Sequence, residues 1–111
     1  MPHKTRKIVI LTSLIAGSLS AGALADLHIQ GVCIDTPAKG VDVYNKNATV
    51  KACNSYKNRN SGTEQWDQCP DCELKSEQNL LWYCESKGSH IGGDELYYYC
   101  TQYGAGDSIA W

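Results

Sequence analysis

The stretch Leu80-Leu81-Trp82-Tyr83-Cys84-Glu85, followed across a polar loop by Gly92-Gly93-Asp94-Glu95-Leu96-Tyr97-Tyr98-Tyr99-Cys100-Thr101-Gln102-Tyr103-Gly104, decides the fold. In its first part Leu80, Trp82 and Cys84 alternate with Leu81, Tyr83 and Glu85, the two-residue period of a half-buried strand. In its second part Leu96, Tyr99, Cys100 and Tyr103 recur at helical spacing and form one stripe. Asp94 and Glu95 fall in the first turn, where negative charge complements the helix dipole, and Gly104 stands where a left-handed C-terminal cap belongs. The pattern predicts a strand over 80–85 and a helix from about 94 to 103.

Working outward, a short strand near 72–75 joins the 80–85 strand across the polar turn Ser76-Glu77-Gln78-Asn79, which makes a hairpin. Further upstream Thr49, Ala52, Cys53 and Tyr56 share one helical face over 47–58, with Asn47 as the expected N-cap and Asn60-Ser61-Gly62 as the stop. A first strand spans 27–34, where Leu27 and Ile29 lie on one face but Val32 and Ile34 on the other. That phase change beside Gly31 predicts a bulge. Residues 35–40, with Pro37 and Gly40, read as a loop. Downstream, Ser108-Ile109-Ala110-Trp111 supplies a last strand with Ile109 and Trp111 on one side. The order strand, helix, strand, strand, helix, strand predicts an α+β fold. Its expected form is a split βαβ (βαββαβ), two helices packed on one four-stranded antiparallel sheet.

The N-terminus has a cationic start (Lys4, Arg6, Lys7), an apolar run from Ile8 to Ala16 and small residues ending in Ala23-Leu24-Ala25. This is the pattern of a signal peptide over residues 1–25, with cleavage expected before Asp26. Gly17, Ser18, Ser20 and Gly22 interrupt the apolar run before it reaches the ~20 residues of a membrane span. The expected mature protein, residues 26–111, is a single cysteine-rich domain that is secreted and extracellular. A core that small needs staples. The six cysteines Cys33, Cys53, Cys69, Cys72, Cys84 and Cys100 all lie in this part, an even number suited to three disulfides in an oxidising compartment. Cys53 and Cys100 face the sheet from the two helices, so each can staple its helix to Cys33, Cys84 or the Cys69/Cys72 pair. The pairing itself is open. Without the leader, seven basic residues face twelve acidic ones, a formal charge of −5. Neither nucleic acid nor an anionic membrane is an expected partner for such a surface. No Lys-Arg or Arg-Arg pair follows the leader.

Cys69-Pro70-Asp71-Cys72 has the spacing of a redox dithiol or of half a zinc site, the latter completed by Cys84 and Cys100. A redox cysteine needs a buried strand before it and a helix after it. Glu64-Gln65-Trp66-Asp67-Gln68 is a poor buried strand, and secretion favours oxidation, so structural disulfides are the expected state. No metal or cofactor is expected. His28 or His90 with Glu73, Glu85 or Glu95, and Arg59 for a phosphate, would supply the residue types of a small ribonuclease. Nothing in their spacing requires them to meet, and no Gly-x-Ser-x-Gly elbow occurs. The chain is expected to be non-enzymatic, with no catalytic residues. Among its many rings Tyr97, Tyr98 and Trp66 are the candidate binding-surface aromatics, able to stack on carbohydrate or anchor a protein contact. Asn47-Ala48-Thr49 is an N-glycosylation acceptor pattern.

The segments Leu81-Trp82-Tyr83-Cys84, His90-Ile91-Gly92-Gly93-Asp94-Glu95-Leu96-Tyr97-Tyr98-Tyr99-Cys100 and Gly104-Ala105-Gly106-Asp107-Ser108 resemble the small secreted cysteine-rich, effector-like proteins of plant-associated fungi. The order of strands and helices is also similar to the smut-fungus killer-toxin fold. The first resemblance implies a virulence-associated protein that binds an unknown host protein, with no catalytic residues to carry over. The second implies the alternative of a toxin or antimicrobial protein directed at competing microbes.

Overall fold

The computed structural model describes residues 27–111, so the expected signal peptide over 1–25 lies outside the described residues. Among the described residues seven strands, two α-helices and a 3-10 turn follow in order: β1 (Leu27–His28), β2 (Gln30–Ala38), β3 (Val41–Tyr44), α1 (Lys46–Lys57), the 3-10 turn Gln65–Asp67, β4 (Glu73–Glu77), β5 (Leu81–Glu85), β6 (Ile91–Gly92), α2 (Gly93–Gln102) and β7 (Asp107–Ala110). All strand pairs are antiparallel, in one five-stranded sheet (β2, β3, β4, β5, β7) and a two-stranded ladder of β1 with β6. The fold is α+β with two helices. The four-stranded split βαβ sheet expected from the sequence is not what is built.

The reason lies in β2. It runs through the expected loop to Ala38, turns at Lys39-Gly40 with Gly40 at φ +77°, and returns as β3. Pro37 is tolerated because the register slips between Asp35 and Ala38, leaving an irregularity where a missing N–H breaks no ladder bond. Gly31 pairs with Cys84 of β5 on one edge and Ala110 of β7 on the other, whereas Ile34 pairs with Tyr44 of β3 and Asp107 of β7. Hence β5 and β3 follow one another along the same edge of β2. Between them, Cys33 N–H donates to Thr49 Oγ1 (2.9 Å) and Cys33 C=O accepts from Asn45 N–H (3.0 Å), so the start of α1 fills the break in the ladder. Across the same notch the Tyr44 hydroxyl donates to Trp82 O (2.6 Å) and accepts from Trp82 N–H (2.9 Å), standing in for the strand that β5 lacks there.

The expected bulge forms one step early. Ile29 and Gln30 N–H both donate to Trp111 O, which breaks the strand at Ile29. Gly31 serves the packing of a helix instead. A Cβ there would collide with the Leu96 side chain, so its bareness lets α2 settle on the sheet. Asn45, not Asn47, caps α1, its side chain accepting from Ala48 N–H at 2.9 Å. Leu80 belongs to a turn, since Gln78 and Asn79 both take positive φ and Leu80 N–H donates to Glu77 O. Gly104 is the left-handed cap expected of it (φ +93°), and Ala105 N–H to Cys100 O and Gly104 N–H to Thr101 O close the Schellman pair. Because α2 ends at Gln102, Tyr103 falls outside the buried stripe and is exposed, its hydroxyl 2.6 Å from Ser55 Oγ.

The core lies between the helices and one sheet face, where Ala48, Ala52, Cys53 and Tyr56 of α1 and Leu96 and Cys100 of α2 meet Cys33, Cys84 and Leu74. All six cysteines are bridged: Cys33–Cys100 ties α2 to β2, Cys53–Cys84 ties α1 to β5, and Cys69–Cys72 closes on itself. The grouping of Cys69 and Cys72 with Cys84 and Cys100 is therefore not formed. Among the described residues no helix is long and apolar enough to cross a membrane.

Candidate functional site

Two surface features stand out among the described residues. The first is a cleft of about 460 Å³ between the segment after α1 and the first turns of α2, lined by Arg59, Ser61, Asp94, Glu95, Tyr98 and Tyr99. Arg59 reaches it because the chain leaves α1 at Asn58, and its guanidinium lies 5.7 Å from the centre of the Tyr99 ring, at cation–π distance. Arg59 Nε donates to Ser61 Oγ and Asp67 O. Tyr99 in turn meets Tyr56 and Tyr98 through ring contacts of 5.8 and 5.1 Å. Behind the cleft the Tyr56 hydroxyl shares its one proton between Trp66 O (2.7 Å) and His90 O (3.0 Å) and accepts from Gly92 N–H (3.0 Å), fixing the floor. Burial raises the Glu95 carboxyl above its ordinary range, against the pull of its own N–H and of Arg59.

The ribonuclease constellation does not assemble here. Arg59 and Glu95 share the cleft, but neither histidine lines it. His90 Nδ1 lies 2.8 Å from Gln65 O, and its charge helps to lower the Asp71 carboxyl. Burial pushes Asp71 up, but Ser86 Oγ–H and Gly88 N–H donate to it and His90 adds its charge, so the net result is a lowered carboxyl. His28 sits in β1 opposite Ile91, while Glu73 and Glu85 face each other across β4 and β5.

The second surface is the sheet face that neither of the described helices covers. Gly31 and Cys33 point to α2, so Val32 and Ile34 point the opposite way. They are nevertheless buried, at 6% and 5% exposure, without joining the helix-side core cluster. Their cross-strand neighbours on that face are Ile109 beside Val32 and Tyr44 beside Ile34. Ile109 and Trp111 remain 42% and 49% exposed, and the Trp111 ring stands 6.3 Å from Tyr83. The result is an apolar, aromatic platform with a buried base, bordered on β4 by the Lys75–Glu73 ion pair (3.4 Å).

Of the aromatics singled out from the sequence, Tyr98 lines the cleft, Trp66 is half-buried beside Gly92 and Glu95, and Tyr97 is exposed on α2. Sequence reasoning missed Tyr83 and Trp111 as a pair. The signal was present in the opposite phases of Gly31/Cys33 and Val32/Ile34, which give β2 two apolar faces when the helices can cover only one. Asn47 is exposed at the start of α1, and the capping role falls to Asn45.

No curated protein and no solved structure shows significant similarity to the chain, so the killer-toxin likeness finds no structural support. The family model described as biotrophy-associated secreted protein 4 matches residues 26–108, which takes in both helices and all six cysteines. Disulfides that staple each helix to the sheet suit a domain of that secreted family, and the match spans most of the chain: the protein belongs to the biotrophy-associated secreted protein 4 family of fungal effectors.

Proposed function

We propose that this protein is a secreted effector that works by binding a host protein, and that the open sheet face around Ile109, Trp111 and Tyr83 is the surface it binds with. The observation that carries the reading is the second apolar face of β2. Val32 and Ile34 are buried there beside Ile109, which stays half-exposed, while both described helices pack on the other side. Apolar patches with aromatic anchors and a polar border are what protein interfaces use, and Trp and Tyr are the commonest hot spots. Membership of a biotrophy-associated secreted family supports a role in living host tissue.

The test is cross-linking of the secreted protein to extracellular fluid from colonised host tissue. A single adduct should form with wild type and with Tyr97→Ala, and be lost in Ile109→Lys and Trp111→Ala. An adduct indifferent to both sheet substitutions would sink the assignment of the surface. Growth inhibition of competing microbes by the purified domain, with no host adduct, would favour the toxin reading instead.

A further inference from the structure

A different feature lies on the helix side of β4. A groove of about 380 Å³ runs between α1 and β4, lined by Val50, Lys51, Cys53, Asn54, Lys57, Cys72, Glu73 and Leu74. Two of its lining residues are cysteines from two different disulfides. The sulfurs of Cys53, Cys72 and Cys84 lie within 4.8 Å of one another, so the Cys69–Cys72 and Cys53–Cys84 bonds are immediate neighbours. The third bond, Cys33–Cys100, contributes nothing to the groove. Lys51 and Lys57 are exposed, and the one acidic residue of the lining, Glu73, already pairs its carboxylate with Lys75 (3.4 Å), so this part of an acidic protein is locally cationic.

The geometry points to a thiol–disulfide exchange site for a small anionic thiol. The two lysines attract the carboxylates of such a molecule and bring its thiolate to the wall that Cys53 and Cys72, 3% and 2% exposed, contribute to the groove. Attack on Cys72 Sγ forms a mixed disulfide and releases the Cys69 thiolate, which takes a proton from water. A second molecule of the thiol attacks the small-molecule sulfur of that mixed disulfide, leaves as the symmetric disulfide, and sets free the Cys72 thiolate. Two thiols have then been oxidised and one protein disulfide reduced. Cys72 Sγ, already beside Cys53 and Cys84, attacks their bond and yields a Cys53–Cys72 or Cys72–Cys84 bridge with the remaining cysteine as thiolate. The Cys69–Cys72 bond is the one to open first because it joins residues three apart and holds no element to another. Its companion ties α1 to β5, so the relay moves the staple of that helix.

The experiment treats the native secreted protein with glutathione, or with uncharged β-mercaptoethanol at equal thiolate concentration. Acid quenching, alkylation and peptide mass mapping then follow each cysteine in time. Cys69 should be alkylated first, followed by peptides joining Cys72 to Cys53 or Cys84, while Cys33–Cys100 stays closed. Lys51→Gln with Lys57→Gln should slow the glutathione reaction on the order of tenfold at low ionic strength and leave the β-mercaptoethanol reaction unchanged. High salt should erase that difference. The proposal is overturned if no swapped pair appears, if Cys33–Cys100 opens first, or if the lysine substitutions slow both thiols alike.

Discussion

At the scale of single residues, the tightest polar node is the Tyr56 hydroxyl, which joins Trp66 O, His90 O and Gly92 N–H inside the protein. Tyr56→Phe keeps the ring and strips these groups of their partner. An unsatisfied buried group costs about 1–3 kcal/mol, so denaturant unfolding should show a loss of that size with the fold retained. That Tyr56 faces the core was legible from its place on the α1 stripe; its partners were not, because they lie 10, 34 and 36 residues away and no local pattern announces them. Two carboxylates give opposite pH signatures. Asp71 is held below its ordinary range, so its contribution is present above the unfolded value and lost as pH falls through the folded one. Glu95 is raised, so its contribution is present below the unfolded value and lost as pH rises through the folded one. Melting curves from acid to neutral pH should show Asp71→Asn losing stability at neutral pH and matching wild type in acid. Glu95→Gln should match wild type in acid and gain on it as pH rises.

At the scale of elements, both helices were visible in their stripes and β5 in its alternation, because each signal is local. What stayed hidden was β3, whose sequence Val41-Asp42-Val43-Tyr44 is short and follows a proline that argues for a loop. The strand exists because β2 offers it an edge and Tyr44 locks it to Trp82, both tertiary facts. The cap of α1 turns on the same junction. Asn45 accepts from Ala48 N–H and donates through Nδ2 to Asp35 Oδ1 (2.9 Å), joining the helix start to β2. Asn45→Ala should therefore cost about 1 kcal/mol, or somewhat more with the Asp35 bond gone, whereas Asn47→Ala should leave the melting temperature near wild type. Equal effects at the two positions would show that the cap is misplaced.

At the scale of the whole molecule, stability rests on which elements the disulfides join, and this was the least legible property, since six cysteines allow many pairings and only the folded topology selects one. Cys33–Cys100 bridges a separation of 67 residues and anchors α2 on the central strand; Cys53–Cys84 bridges 31 and anchors α1; Cys69–Cys72 bridges 3. On chain-entropy grounds, closing loops of these lengths contributes about 4.4, 3.7 and 1.6 kcal/mol respectively. Paired substitution to alanine should follow that order in calorimetric melting. Loss of Cys69–Cys72 should leave a folded, cooperative domain, and loss of Cys33–Cys100 should lower the melting temperature most, because Gly31 and Leu96 depend on the same α2–β2 seam. Should the short bridge prove the costliest, the stability of the domain would have to reside in the loop after α1 and not in the stapling of helices to sheet.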